Sequence, residues 1–406
     1  FDVRPIRPRS RVAFADLHPG LQRAWGTIFA SRPELGGFSN NGFSNNCKDC
    51  LYFTADMAAA SDDAEHPFDL MELVRDAASL ALQGGPGYGS CLEELSDTAP
   101  SLIVSAAQAW QARPDVAWLA ELWPFIEKHV EHILSHRDER GLYINTRKTG
   151  NTGERKWSSN AWDVMCFGHV DGASGALAYR ALREVQPLAE AAGKPDVARR
   201  CAEAAAKIKA AYAPALLNPD TGWLAAWQSA DGQRHDAGYL FATGIAVAFG
   251  LLEGEQARQA VANLEAAREK AGHTDFRYGL AFNLTPIPRA DYAGRTSGEP
   301  RRADGRDTFG VFLNGGLSMP GAYFYLDALS KTGHGATADQ ACRQMLDSLA
   351  AGVFDGLAFT GTEAYSWEGT PTGYEGMLTH SYHVLLAIAR HTGVLADEAA
   401  RPPGRG

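Results

Sequence analysis

The stretch ALAYRALREVQPLAEAAGKPDVARRCAEAAAKIKAAYAPALLNPDTGW, Ala176 to Trp223, decides the fold. Apolar residues recur every three or four positions over 176–192 and again over 196–212, which predicts two amphipathic helices. Gly193 and Pro195 punctuate the joint between them. The pair closes on an Asp/Gly turn, Asp220-Thr221-Gly222-Trp223. The same pattern is spelled elsewhere. Helices are predicted over 101–112 and 116–134, then 243–252 and 255–271, then 321–332 and 337–351, with a last one over 382–391. Asp138-Glu139-Arg140-Gly141-Leu142 and Asp355-Gly356-Leu357 repeat the closing turn. A helical hairpin cannot bury its apolar face alone, so the units must stack on one another. About six pairs of ~60 residues fit the chain. Their unequal sequences and loop lengths argue for a closed ring over an open array. The expected fold is therefore all-α, an (α/α)6 toroid spanning 1–406 as a single domain. An irregular segment 1–50 and a flexible tail 398–406 flank it.

Composition agrees with a packed globule and removes several function classes. Of 406 residues, 45% are hydrophobic and 21% charged, enough to fill a large core. Net charge is −10 and no Lys/Arg block stands out, which excludes a basic nucleic-acid footprint and a polybasic membrane anchor. No apolar run reaches bilayer-spanning length. Cys47-Lys48-Asp49-Cys50 is the only close pair among six cysteines, with no second pair to complete a zinc site. No metal and no cofactor are expected. Residues 1–13 lack the apolar core of a signal peptide, and the compartment stays open.

Stacked in register, the hairpins gather the loops after each second helix around one mouth, where chemistry is expected. Three loops carry it. Trp157 to Asp163 brackets a polar run with tryptophans, Trp157 and Trp162, and ends in a carboxylate. Indole faces stack on sugar rings while neighbouring carboxylates and amides bind hydroxyls. The second loop offers His235, Asp236 and Tyr239. The third, Gly361 to Gly376, crowds Glu363, Tyr365, Trp367, Glu368 and Glu375 among glycines. Glu94, in the Gly-rich stretch 84–97, and Asn314, in Asn314-Gly315-Gly316, complete the expected sugar contacts. Breaking a glycosidic bond needs an acid for the leaving oxygen and a base for water, from two carboxylates facing each other across a cleft. Asp163 and Glu368 are the expected pair. Neither a Gly-x-Ser-x-Gly elbow nor a His-Glu-x-x-His helix is present, which removes two competing hydrolase classes.

These motifs resemble those of the six-hairpin glycoside hydrolases, above all the glucosidase-type family 63 and the rhamnosidase-type family 78. Asp97-Thr98-Ala99-Pro100 is similar to their D-x-P motif. Trp162-Asp163 with Ala176 to Leu182 is similar to the stretch that carries their general acid. Asn314-Gly315-Gly316 resembles their N-G-G turn, and Trp367-Glu368-Gly369 with Gly373-Tyr374 resembles the stretch of their base. The resemblance implies Asp163 as acid, Glu368 as base, an inverting mechanism and exo action on a small saccharide or glycoside. Two other readings stand beside it. One is a sugar epimerase or isomerase of the N-acylglucosamine 2-epimerase type, using His235, His380 and His383. The other is a sugar-binding toroid without catalysis. The partner in every case is a carbohydrate.

Overall fold

The structure is a computed structural model. It describes residues 7–27, 51–62, 71–72, 74–75, 78, 95–146, 158–160, 162, 165–292, 308–355, 362–375 and 383–395. Two helices lead the chain, α1 (Pro19–Thr27) and α2 (Leu51–Ala59). They are followed by α3 (Thr98–Ala112), α4 (Val116–Ser135), α5 (Gly172–Glu184) and the short α6 (Gln186–Ala191). Then come α7 (Pro195–Leu216), α8 (Leu240–Ala248), α9 (Gly254–Lys270), α10 (Met319–Lys331), α11 (Gly335–Ala350) and α12 (Val384–His391).

Burial sorts these helices into two rings. On α3, Thr98 through Ala109 are all buried, and on α8 Leu240 through Val247 are all buried. Helices α2, α5, α10 and α12 are nearly as enclosed. A helix apolar or small-residued all round must have neighbours all round. By contrast α4, α7, α9 and α11 bury one stripe and expose the other. Inner helices pack in the order α2, α3, α5, α8, α10, α12. The ring shuts where Phe53 of α2 meets His383, just before α12, at 4.4 Å between ring centroids. In the outer ring, α1 packs against α11. Gly20 makes that seam possible, since a Cβ there would lie 2.2 Å from the Leu346 carbonyl oxygen. This is an all-α (α/α)6 toroid. Leu21, Ala24 and Trp25 are the buried stripe of α1, a short periodic signal inside a stretch expected to be irregular.

Small glycines set the inner spacing. A Cβ on Gly244 would sit 2.7–2.9 Å from the backbone of Phe324 and Tyr325. Helices α8 and α10 therefore touch backbone to backbone. Gly244→Ala is expected to destabilise the protein by about 1–3 kcal/mol by forcing them apart, read as a lower denaturant midpoint. An unchanged midpoint would show that the two helices can separate freely.

Helical hairpins place the loops after α4, α7, α9 and α11 at one end. The turns at Asp138, Asp220 and Asp355 follow α4, α7 and α11. Short strands line this end. One sheet joins β3 (Val170–Asp171), β4 (Trp227–Gln228) and β5 (Arg234–His235). A second joins β6 (Leu280–Ala281), β7 (Leu317–Ser318), β8 (Thr362–Tyr365) and β9 (Pro371–Glu375), all antiparallel. A two-residue pair, β1 (Arg7–Pro8) with β2 (Ser61–Asp62), lies apart. Among the described residues, no helix is long and apolar enough to cross a membrane.

Candidate active site

The loops at this end are stitched to one another. Ser96 N donates to Ser159 O at 2.7 Å, Cys166 N to Asp291 O at 2.7 Å, and Leu284 N to Ala237 O at 3.0 Å. Phe312 N reaches Thr372 Oγ1 at 3.2 Å. Segments distant in sequence thus form one surface over the inner helices.

An acid absent from the expected set organises the first loop. Asp171, 2% exposed, is the N-cap of α5. Its Oδ1 accepts from Ala173 N and Ser174 N, and its Oδ2 from Ser159 Oγ (2.8 Å), Asn160 Nδ2 (2.8 Å) and Ser174 Oγ (2.9 Å). Burial pushes its carboxyl up, against the pull of these donors. The sequence signal was Asp-Gly-Ala-Ser at a helix start, an N-cap pattern. Asp171 pins 158–160, and Asn160 Oδ1 in turn accepts from Trp162 N at 2.8 Å. Trp162 is half-buried, its ring 4.5 Å from Phe241 and 5.7 Å from Phe282. Asp163, Trp157, Glu94 and His380 lie outside the described residues, as do Cys47 and Cys50.

The third loop is a hairpin of β8 and β9. Glu368 stands exposed at its tip, where Ser366 N donates to Thr370 O and Gly369 N to Ser366 O. Ser366 Oγ also accepts from Glu368 N at 3.3 Å. Gly369 has φ +85°, and a Cβ there would fall 2.4 Å from the Tyr278 hydroxyl, so only glycine closes this turn. Trp367 is half-buried against His273 (5.5 Å) and Phe309 (5.8 Å), and its Nε1 donates to Gly315 O. Glu363 is half-buried on β8, opposite the place where β9 carries one extra residue between Thr372 and Glu375. Such bulges bend a strand and re-aim side chains.

The two tryptophans share a support. Phe282, against which Trp162 packs, donates its N–H to Gly316 O at 2.9 Å. The neighbouring carbonyl, Gly315 O, holds Trp367. Trp367 is thus tied to this segment directly, and Trp162 reaches it through Phe282.

Four of the expected sugar contacts make hydrogen bonds or ring contacts with neighbouring loops. Asp236 accepts from Trp223 Nε1 (2.9 Å), Gly238 N (2.8 Å), Asn218 Nδ2 (2.9 Å) and Thr221 Oγ1 (3.2 Å), which makes it the organiser of the Asp220 turn. Tyr239 is 1% exposed, its hydroxyl on Met165 Sδ. Asn314 Oδ1 accepts from Ile287 N (3.1 Å) and Asn283 Nδ2 (3.3 Å), and Asn283 Oδ1 takes Gly315 N. Tyr365 stacks on Tyr278 and donates to Val353 O. Loop polar groups that are buried must find partners, and here neighbouring loops supply them.

The histidines of the epimerase reading are enclosed as well. His235 lies flat on Trp227, between Asp291 Oδ1 (3.1 Å) and Ser229 Oγ (3.0 Å). His383 is fully buried, its Nε2 3.3 Å from Asp56 Oδ2. Asp56 also takes both terminal nitrogens of Arg180, at 2.6 and 2.7 Å. Burial alone would raise the Asp56 carboxyl, but Arg180 and His383 hold it well below the usual carboxylate range.

Burial pushes two of the enclosed imidazoles, His273 and His383, from 6.5 down to about 4. Both are neutral when folded and protonate near 6.5 when unfolded. Their contribution is complete above pH ~6.5 and is lost as pH falls toward ~4. Between pH 7 and pH 5 the pair is expected to cost about 4 kcal/mol of unfolding free energy, measured from urea midpoints. Equal stability at the two pH values would contradict this.

Residues 80–281 match the family described as the bacterial alpha-L-rhamnosidase 6 hairpin glycosidase domain. No curated protein matches the chain in sequence. Among solved structures, it is similar to a rhamnosidase from Klebsiella oxytoca with rhamnose bound, at 16% identity and TM-score 0.58, covering 97% of this chain and 67% of that one. It is also similar to a GH63 mannosylglycerate hydrolase from Thermus thermophilus in complex with glucose, at 12% identity and TM-score 0.55, over 90% and 98%. A GH78 family rhamnosidase of Bacillus sp. GL1 aligns at 17% identity and TM-score 0.49 over 83% of this chain, which spans 31% of that protein's length. The chain thus has the (α/α)6 fold of the six-hairpin glycosidases, and its residues 80–281 match the domain model of that family.

Proposed function

We propose that this chain hydrolyses glycosidic bonds, with Asp163 as general acid and Glu368 as general base, by inversion and in exo fashion on a small saccharide or glycoside. The observation that carries the reading is the common anchoring of Trp162 and Trp367 through Phe282 and Gly315–Gly316. Each tryptophan immediately precedes one of the two carboxylates, so a shared support favours their meeting over one sugar. Trp162 and Trp367, both half-buried, supply indole faces for the sugar ring. Glu363, opposite the β9 bulge, is a further sugar contact in this reading. The rhamnose and glucose bound by the fold neighbours support a monosaccharide-sized subsite.

Enclosure of His235 and His383 in internal hydrogen bonds weighs against the epimerase alternative, which needs histidines that reach substrate. The test is a panel of nitrophenyl glycosides, rhamnosides included, with natural disaccharides. Release of free sugar with an inverted anomeric centre supports the proposal. Interconversion without release would replace it with the epimerase reading, and binding without turnover with the non-catalytic one. In a sugar complex, inversion requires a separation of about 6.5–9.5 Å between the two carboxyls.

A further inference from the structure

The end of α4 carries a histidine pair that the glycosidase reading does not use. His132 and His136 stack one helical turn apart, with ring centroids 4.0 Å apart and planes at 26°. Both are half-buried, so solvent reaches them. The His136 ring is already oriented. Its Nδ1 lies 2.8 Å from His132 O, the carbonyl that also takes His136 N (3.1 Å) and Ser135 Oγ (3.0 Å). Ser135 Oγ sits 3.1 Å from the same Nδ1. Donation from Nδ1 to a backbone carbonyl puts the lone pair on Nε2, the tautomer and second contact that metal-binding imidazoles use. No ring nitrogen of His132 makes a hydrogen bond among the described residues. Upstream, His129 repeats the arrangement, with Nδ1 2.7 Å from Phe125 O and a buried Nε2 that has no hydrogen-bond partner among the described residues.

We infer that His132 and His136 form a two-imidazole site for a borderline divalent transition metal of the Zn²⁺ type, completed by water. Three physical arguments converge on it. Histidines four apart across the end of a helix lie on one face. The end of a helix carries partial negative charge from its free carbonyls and favours a cation. Imidazole is the ligand type that suits Zn²⁺, Cu²⁺ and Ni²⁺ over Mg²⁺ or Ca²⁺. Among the described residues, no three His, Cys, Asp or Glu side chains gather tightly enough to hold a metal, so water fills the other positions.

The test titrates chelator-stripped full-length protein with ZnCl₂ at pH 7 by calorimetry, alongside His132→Ala, His136→Ala and a control, His334→Ala. One Zn²⁺ per chain is expected, with affinity at least ~10-fold weaker in either pair variant and unchanged in the control. Zn²⁺ should also raise the melting temperature of the parent and control but not of the pair variants. That comparison holds even if a variant is itself less stable. Absence of binding, or equal affinity and equal thermal shift in all four proteins, overturns the inference.

Discussion

Glu368→Gln is expected to lower kcat by about 10²–10⁴-fold with little change in KM, because an amide cannot take the proton of the attacking water. The substitution removes charge but almost no volume. Its position at an exposed hairpin tip separates the loss of activity from any loss of fold, and far-ultraviolet circular dichroism checks this. Asp163→Asn should behave differently in one informative way. An acid is needed most when the leaving group is a poor one, so the loss should be large on natural glycosides. On nitrophenyl glycosides, whose leaving group departs without a proton, it should be much smaller. A uniform loss on both substrates would point to Asp163 as base or as a sugar contact. Full turnover by Glu368→Gln would move the base to Glu363, beside the β9 bulge.

The largest stability effect is expected inside the ring. Arg180, on α5, holds Asp56, on α2, through two hydrogen bonds, and its Nε binds Glu184 at 2.7 Å. Arg180→Met leaves the buried Asp56 carboxylate with only His383 beside it, at a cost of about 3–5 kcal/mol. The double variant Asp56→Leu/Arg180→Met should recover much of that loss, since a buried ion pair and a packed apolar pair are often close in energy. Unfolding in guanidinium of the two variants and the parent decides it. No loss in the single variant would mean that water or another cation reaches Asp56.

The helices were legible because each inner and outer pair writes its own periodicity. The expected 116–134 and 255–271 became α4 at Val116–Ser135 and α9 at Gly254–Lys270. Helix α1 leaves little mark in the sequence because its nine residues give only one turn of apolar pattern beyond the first. The site was harder to read for a physical reason. A carboxylate that caps a helix and one that binds a sugar occupy the same kind of polar, glycine-rich loop. Asp236 and Asn314 bind backbone and side chains of adjoining loops, and Asp171, which reads locally as a helix cap, ties Ser159 and Asn160 to α5. Partners contributed by loops far away in sequence leave no local mark. Trp162 and Trp367 were readable because a large ring in a polar loop is conspicuous whatever its neighbours.

The seam between α1 and α11 has a consequence for biosynthesis. Arg23 and Asp355 pair across it although 332 positions separate them. During translation the first outer helix therefore emerges long before its mate exists, and only its Trp25 edge, which bonds Ser61, finds a partner early. The nascent torus is an open crescent until the ribosome has delivered the last outer helix.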